Sequence, residues 1–488
     1  MRSDKSGDWD DDTAWLGIDL GTQSVRAVVA TTRGHLLGSG SAPLTGRRTG
    51  VRHEQDPADW WSAVCTATRA ALTGVQARRL RALAVCSTSG TVLLTHAYGN
   101  PLTPGLMYDD GRAAPEAYEA GVPPSWGLPK ALWLARRRNG TTVRLSHQAD
   151  TVTARLTGGP VATDSSHALK TGYDLERDTW PEEALAQLGL SVALFPEVVR
   201  PGTCLGKVTE AASTETGIPA GTLVIAGMTD GCAAQIASGA LRPGSWNSVL
   251  GTTLVLKGVS TAPVRDSTGI VYNHRSPDGN WLPGGASSVG AGALTVAFPG
   301  ADPARLDALA AHHEPSVALA YPLTSQGERF PFRAPAATAF ILNGGTSEAD
   351  RWAAMLQGIG YAERLCLDYL HYLGAPVEGP LTFTGGAARS PYWNQLRADI
   401  LGRPARIPEQ TEPALGMAIL AAHGAGEGAG PNLADTAEAM VRIRETVHPR
   451  PGRTTAFAAP YARLITELTH RGWLPPPVSA HALTRLPP

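Results

Sequence analysis

The hydrophobic pattern of the chain opens with two apolar runs on either side of a short polar turn at residues 21–24. Runs of this length, bounded by a glycine and small polar residues, are typical of two β-strands joined by a tight turn. Gly21 lets the backbone come close to a bound group. Thr22 and Gln23 can donate N–H and hydroxyl groups to a phosphate, and Asp19 can hold water around Mg²⁺. An ordinary hairpin with a polar tip would explain the same pattern.

The same pattern returns about one domain further along the chain. A predicted strand at 246–250 leads into the turn Gly251, Thr252 and Thr253, and a predicted return strand follows at 254–258. Short glycine motifs match by chance, so the recurrence is more informative than either copy. We expect two phosphate-binding hairpins that face each other and hold a triphosphate in the cleft between two domains.

Two apolar runs in the first half end in polar residues, which is where α/β proteins bind their ligands. The run at 80–87 leads into Ser87 and Ser89, whose hydroxyls can bind a substrate; a turn capped by its own hydroxyls is the alternative. The run at 222–226 is followed by Asp230 and by small residues that open a helix. An acid in this place suits a general base, although an aspartate that only caps the helix would give the same sequence.

Two further polar segments of the first half are candidate substrate contacts. Asp110 and Arg112 follow a short predicted strand, and an acceptor beside a donor suits a polyol; a surface ion pair is the alternative. Residues 163–174 are polar and irregular, which predicts a loop near a site. We expect His167 to be an exposed residue of this loop rather than a base.

Small residues in the second half indicate close backbone approaches. Residues 381–384 are predicted to form a strand that ends at Gly385 and Gly386, where paired glycines admit a flat ring. Pro391 then begins a helix, whose N-terminus favours a phosphate. The small residues at 284–292 are expected to open another helix.

Composition restricts the class of protein. The chain has 488 residues, too many for one hydrophobic core, so two domains of similar size are expected. Its formal net charge of -1 gives no indication of a nucleic-acid or membrane surface. No apolar run reaches the ~20 residues that a membrane helix needs. We expect a disordered lead without a signal peptide at 1–12, an N-terminal domain at 13–243, a C-terminal domain at 244–426, a helical extension at 427–475 and a disordered tail at 476–488.

The five cysteines are scattered, odd in number and without a CxxC pair. This usage argues against a disulfide framework or a zinc site and favours a reducing cytoplasm. We therefore expect all five to be buried free thiols.

The order of these motifs resembles that of the FGGY carbohydrate kinases, which belong to the superfamily of actin, the heat-shock chaperones and hexokinase. The resemblance implies an α/β fold of two actin-like (ribonuclease H-like) domains with the active site in the cleft between them. It also implies ATP, Mg²⁺ and a sugar as ligands, and family members are often homodimers. The resemblance covers residues 15–426 and is carried by Asp19 to Thr22 with Arg26, by the Asp230 segment, by 251–253 and by 385–390.

The resemblance also implies roles for single residues. Asp230 would be the general base that takes a proton from a sugar hydroxyl, whose oxygen then attacks the γ-phosphate of ATP. Asp19 and Asp230 would bind the metal. The residues expected at the sugar are Asp19, Ser87, Ser89, Asp110, Arg112 and Asp230. Those expected at ATP are Gly21, Thr22, Gln23, Gly251, Thr252, Thr253, Gly285, Gly385, Gly386, Ala387 and Asn394.

One departure from the family pattern bears on the substrate. Xylulose kinases carry a Met-His pair after the strand that here leads into 87–91, and this chain has no such pair. Residues 87–91 and 168–174 instead resemble the D-ribulose kinase branch, which favours D-ribulose and its 5-phosphate over D-xylulose. Another polyol kinase of the family is an alternative. A non-enzymatic actin-like filament protein or chaperone ATPase is the alternative from another class.

Overall fold

The computed structural model describes residues 13–138, 143–344 and 347–487, and these divide into two compact units. The first unit holds the described residues of 1–239, 274–279 and 412–442, and the second holds those of 240–273, 280–411 and 443–488. The division after residue 239 lies four residues before the predicted domain boundary. Residues 412–442 pack in the first unit, whereas the sequence placed them in the C-terminal domain and its extension. The predicted disordered lead at 1–12 lies outside the described residues.

The first unit is built around a six-stranded sheet that contains the first predicted hairpin. Ala14–Leu20 pairs antiparallel with Ser24–Thr31 and parallel with Leu80–Ser87, and every residue of Ala14–Leu20 is buried. Strands buried on both faces read as continuous apolar runs, which is why the sequence marked them clearly. In spatial order the strands are Cys204–Lys207, Leu223–Ile225, Leu80–Ser87, Ala14–Leu20, Ser24–Thr31 and Leu36–Pro43.

A glycine explains why a helix from late in the chain belongs to this unit. A Cβ atom on Gly17 would lie 1.7 Å from the carbonyl oxygen of Ala414, so only glycine allows helix Pro413–Gly424 to pack on strand Ala14–Leu20. On the same helix, a Cβ atom on Gly416 would lie 2.0 Å from the carbonyl oxygen of Ala233. The helix therefore packs with its backbone in close contact with two elements of the first unit.

The remaining elements of the first unit surround this sheet. A five-stranded sheet has the order Arg47–Thr49, Arg52–Gln55, Gly105–Leu106, Val92–His96 and Val143–His147, and a two-stranded sheet pairs Thr163–Asp164 with Val198–Val199. The helices are Pro57–Ala71, Ala114–Ala120, Gly127–Ala135, Gln148–Thr157, Ser165–Leu169, Glu182–Gln187, Glu210–Thr216, Asp230–Ala237, Pro413–Gly424 and Leu433–Met440, with 3₁₀ turns at Ala77–Arg79 and Val192–Leu194.

The second unit repeats the central arrangement of the first. Trp246–Leu250 pairs antiparallel with Leu254–Gly258 and parallel with Leu381–Thr384, so the second predicted hairpin occupies the same place in its sheet as the first. The seven strands in spatial order are Tyr272–Arg275, Trp281–Ala286, Leu254–Gly258, Trp246–Leu250, Leu381–Thr384, Ala405–Pro408 and Ile443–Val447. A separate pair joins Leu319–Tyr321 to Phe340–Leu342.

The helices of the second unit include two departures from prediction. No helix begins at Gly284, because residues 281–286 continue as a strand and the helix starts at Gly292. The tail predicted to be disordered at 476–488 instead forms helix Pro476–Thr484, whose Val478 and Ala482 are buried. The helices are Gly292–Ala297, Pro303–Ala310, Glu348–Tyr372, Pro391–Leu401, Arg453–Ala456, Ala458–His470 and Pro476–Thr484, with a 3₁₀ turn at Gly386–Arg389.

The cysteines match the prediction only in part. All five are free thiols, and Cys86, Cys232 and Cys366 are buried. Cys65 is half-buried and Cys204 is exposed, so burial of all five was wrong. Across the described residues, every helix is too short or too polar to cross a lipid bilayer.

Candidate active site

The tip of the first hairpin is open to solvent and braced from below. Gly21 and Thr22 are half-buried and Gln23 is exposed, and the N–H of Gly21 donates to the carbonyl oxygen of Ser24 across 3.0 Å. The buried side chain of Gln55 donates to the carbonyl oxygen of Thr22 across 2.7 Å. This brace holds the peptide between Thr22 and Gln23, which we expect at a phosphate.

Asp19 and Asp230 form an acid pair in the first unit. Asp19 is buried near the end of its strand, whereas Asp230 is half-buried at the first position of helix Asp230–Ala237. Burial and then the charge of Asp230 raise the pKa of Asp19 to about 7, against a weak hydrogen bond from the thiol of Cys86. The two carboxylates are therefore close enough to repel, and a nearby cation would relieve this repulsion.

The acid pair suits Mg²⁺ when substrate oxygens supply further ligands. Among the described residues, no cluster of three or more His, Cys, Asp or Glu side chains is arranged to hold a metal ion. Mg²⁺ commonly keeps several waters and is bound by one or two carboxylates together with substrate phosphates. Asp19 and Asp230 thus fit a Mg²⁺ ion that binds along with a nucleotide.

The serines predicted at the sugar have different surroundings. Ser87 is fully buried, and its Oγ lies 2.9 Å from Nε2 of His167 and accepts the N–H of Ala149 across 3.1 Å. This hydroxyl is engaged inside the protein, so we do not propose a sugar contact for Ser87. Ser89 is half-buried, and its hydroxyl has no hydrogen-bond partner among the described residues. Ser89 therefore remains the candidate on this segment.

The pair Asp110 and Arg112 is buried, which rules out the alternative of a surface ion pair. Arg112 binds both oxygens of Asp110, at 2.8 and 2.7 Å, and its other nitrogen lies 2.7 Å from Glu54. Burial opposes the charge of Asp110, but the bonds from Arg112 and from the N–H of His53 outweigh it and lower its pKa. A sugar contact by Asp110 would have to replace one of these bonds.

The polar segment at 163–174 is not an exposed loop at its start. It forms strand Thr163–Asp164 and helix Ser165–Leu169, and His167 is fully buried with Nδ1 2.5 Å from the carboxylate of Asp164. The expectation of an exposed histidine was wrong because Asp164 in the segment and Ser87 outside it provide hydrogen-bond partners for both ring nitrogens of the buried His167.

In the second unit, three glycines bring backbone segments against the second hairpin. The carbonyl oxygen of Gly251 accepts the N–H of Ala291 across 2.9 Å, and a Cβ atom on Gly290 would lie 2.3 Å from the carbonyl oxygen of Thr252. Gly385 has a φ of 84°, and a Cβ atom there would lie 2.6 Å from the carbonyl oxygen of Leu250, the last residue of strand Trp246–Leu250. The hairpin, the start of helix Gly292–Ala297 and the Gly385 turn therefore meet.

A cavity of about 830 Å³ adjoins these segments. Its walls are mostly apolar, which suits the flat face of a nucleobase. Gly386 and Ala387, both predicted at the nucleotide, line it. The other lining residues that the sequence did not identify include Ala291, Leu294, Phe298, Asp307, Trp352, Ser390, Tyr392 and Trp393.

Two predicted nucleotide residues, Gly285 and Asn394, do not line this cavity. Gly285 lies inside strand Trp281–Ala286, where a Cβ atom would meet the ring of Phe330 at 2.7 Å, so its expected place beside a nucleotide is not supported. Asn394 is fully buried, and its amide donates to the carbonyl oxygen of Ala388 across 2.9 Å. Asn394 therefore braces the Gly385 turn from inside, and direct contact with a nucleotide remains a prediction.

Glu328 is a further functional candidate that sequence reasoning missed. Its carboxylate accepts the N–H of Ser288 at 2.7 Å, the hydroxyl of Ser287 at 2.9 Å and the hydroxyl of Tyr321 at 2.5 Å. Burial raises its pKa despite these bonds. Glu328 thus fixes the turn that leads to Gly290. In the sequence, a single acidic residue in an apolar, proline-containing segment could have indicated a buried carboxylate here.

Two sheets of matching topology, each with an open hairpin, together with an acid pair and a large apolar cavity, define an α/β protein of the phosphotransferase class. Residues 14–120 and 124–237 match the N-terminal domain of the FGGY family of carbohydrate kinases, and residues 246–425 match its C-terminal domain. The chain belongs to this family, and it is an ATP-dependent sugar kinase. This assignment excludes the non-enzymatic alternative.

Individual relatives agree with the family. The chain is 33% identical to a xylulose kinase of Streptomyces coelicolor and 31% identical to one of Streptomyces rubiginosus, each over 83% of this chain and 87% of the relative. The crystal structure of a xyloylose kinase from Brucella ovis superposes with a TM-score of 0.85 at 25% identity, covering 94% of this chain and 99% of that one.

Proposed function

We propose that this sugar kinase transfers the γ-phosphoryl group of ATP to a hydroxyl group of a ketopentose, with Asp230 as the general base. The observation that carries the proposal is the half-buried carboxylate of Asp230, at the start of a helix and beside the buried Asp19. A base must reach the proton that it removes, and Asp230 is the more accessible member of the pair.

The other residues position the reactants. The backbone N–H groups of Thr22 and Gln23 at the open hairpin tip would hold a phosphate, and those of Thr252 and Thr253 would do the same in the second unit. Gly21 and Gly251 would allow the phosphate to approach the backbone closely. Gly386 and Ala387 would border the adenosine in the 830 Å³ cavity. Mg²⁺ at Asp19 and Asp230 would neutralise charge on the phosphates.

Two ketopentoses, epimeric at C3, are the candidates. The xylulose kinases among the relatives favour D-xylulose as the first one to test. D-Ribulose, the substrate inferred from the sequence, is supported by Thr88 and Ser89 in place of the Met-His pair of xylulose kinases. The free hydroxyl of Ser89 offers a hydrogen bond that could distinguish the C3 epimers.

A coupled assay of ADP release over D-xylulose, D-ribulose, L-ribulose, pentitols and glycerol tests the proposal. We expect the highest kcat/KM with one of the two D-ketopentoses. A preference of about tenfold or more, on the order of 1.4 kcal/mol, assigns the substrate. Equal or higher kcat/KM with glycerol or a pentitol would overturn the ketopentose assignment while leaving the kinase class intact.

The ligands, the oligomeric state and the cellular location are inferred from the sequence and its family. Sugar and ATP are the ligands that the family implies, and a homodimer and a cytoplasmic location remain predictions. Size-exclusion chromatography with light scattering would test the dimer.

A further inference from the structure

Two backbone positions, called strand ends below, lie side by side at the base of the Asp230 helix: Ser87, and Thr229, which lies four residues after strand Leu223–Ile225. Ser87 is the last residue of strand Leu80–Ser87, and it forms an isolated parallel bridge with Thr229. Thr229 is the residue immediately before Asp230 and occupies the N-cap position of the helix that Asp230 begins, without a capping hydrogen bond from its side chain. The position of these two strand ends therefore sets the position of the proposed base.

The carboxylate of Asp164 organises the groups that contact both strand ends. Its Oδ1 accepts the N–H and the hydroxyl of Ser166, at 2.9 and 2.6 Å. Its Oδ2 lies 2.5 Å from Nδ1 of His167. Burial opposes a charge on either group. Their mutual attraction and hydrogen bond nevertheless lower the pKa of Asp164 and raise the pKa of His167.

From Asp164, one branch reaches each strand end. The hydroxyl oxygen of Ser166 accepts the backbone N–H of Thr229 across 2.9 Å. Nε2 of His167 lies 2.9 Å from Oγ of Ser87, which also accepts the N–H of Ala149. Asp164, Ser166, His167 and Ser87 are each at most 4% exposed, so water does not compete for these bonds.

We propose that Asp164, Ser166 and His167 are positioning residues for phosphoryl transfer, because their buried hydrogen bonds hold the strand ends at Ser87 and Thr229 and so orient the carboxylate of Asp230. The inference rests on the proposed role of Asp230 as the base. A displacement of about 1 Å in a reacting group can cost on the order of 100-fold in rate, which gives such a network a catalytic consequence without any contact to substrate.

Two adjacent serines provide a matched test. Ser165 and Ser166 lie on the same short helix and are both buried, but the hydroxyl of Ser165 has no hydrogen-bond partner among the described residues. Ser166→Ala leaves the N–H of Thr229 without its acceptor, whereas Ser165→Ala removes no bond of the network. Both variants lose the same atoms, so a general effect of the truncation appears in both.

The measurements are steady-state kinetics with ATP and the best sugar, and hydrogen exchange of the peptide that contains Thr229. For Ser166→Ala we expect kcat to fall at least about tenfold while both KM values stay within about twofold, and exchange at Thr229 to accelerate. Ser165→Ala should match the wild type in both. If Ser166→Ala does not fold, His167→Gln takes its place, because its amide can keep only one of the two bonds of the imidazole.

The exchange measurement separates this inference from the proposed function. If the wild type shows no sugar-dependent turnover, the proposed function fails, and exchange at Thr229 still reports whether the network holds that strand end. The positioning role is overturned if exchange at Thr229 is equal in the two serine variants. It is also overturned if the wild type is active and the two variants have equal kcat.

Discussion

Nε2 of His167 lies 2.9 Å from Oγ of Ser87, and both side chains are fully buried. Burial opposes a charge on this imidazole, but the carboxylate of Asp164, its hydrogen bond and the charges of Asp150 and Asp230 outweigh burial and raise the pKa of His167. The folded protein therefore binds a proton at His167 more tightly than the unfolded chain does.

This difference makes stability depend on pH in a defined direction. A histidine with a raised pKa contributes stability that is fully present below its unfolded pKa of about 6.5 and is lost as the pH rises through its folded pKa. We expect the stability advantage of the wild type over His167→Asn to be largest near pH 6 and to shrink as the pH is raised. Urea unfolding at several pH values measures it. A gap that stays constant or widens with pH would show that the imidazole is not held in its charged form.

The role of Asp230 predicts a selective loss of catalysis. Asp230→Asn keeps the shape of the side chain but removes the base, so kcat should fall by about 10²- to 10⁴-fold while binding of ATP in the absence of Mg²⁺ is little changed. Kinetics and calorimetric titration with ATP measure the two effects. Asp56→Asn is the control, because Asp56 caps helix Pro57–Ala71 and asparagine also serves as a cap. Near wild-type turnover in Asp230→Asn would mean that another group takes the proton.

The cavity of the second unit predicts that a substitution in its wall changes KM for ATP and not KM for the sugar. Ala387 lines this cavity, whereas the adjacent Ala388 is equally buried and does not. Ala387→Val should raise KM for ATP severalfold and leave KM for the sugar unchanged, because the added methyl groups occupy the space proposed for adenosine. Ala388→Val should change only stability, by about 1–3 kcal/mol from overpacking. The same KM for ATP in both variants would place the nucleotide elsewhere.

Local sequence patterns predicted the central strands of both units. Strands Leu80–Ser87, Trp246–Leu250 and Leu381–Thr384 have the predicted bounds because each is a short stretch with apolar residues that ends in a turn of glycine or small polar residues. Asp19 and Asp230 could be identified as candidates because strand ends carry the ligands of α/β proteins. These features depend only on residues close together in the chain.

The features that were missed depend on contacts between distant residues. His167 and Ser87 are 80 residues apart, and no local pattern indicates that a polar segment is buried by such a partner. Likewise, Gly17 reads as one residue of a strand, and its need for glycine comes from Ala414. The apolar residues of the cavity lie on separate elements that become neighbours only in the folded unit.

The C-terminal helix is predicted to stabilise the second unit, although the sequence indicated disorder at this end of the chain. Val478 and Ala482 are buried, and Arg485 donates to the buried carboxylate of Asp368 across 2.8 Å. Ending the chain at residue 475 removes this packing and takes one partner from Asp368. We expect a clear loss of stability, of which the damaged ion pair accounts for up to about 3–5 kcal/mol.

Thermal unfolding of the truncated chain beside Arg485→Met separates the two contributions. Arg485→Met removes the ion pair and keeps the helix, so its melting temperature should lie between those of the wild type and the truncated chain. A truncated chain that melts with the wild type would mean that helix Pro476–Thr484 adds nothing to the second unit. A truncated chain that melts with Arg485→Met would assign the whole effect to the charge on Asp368.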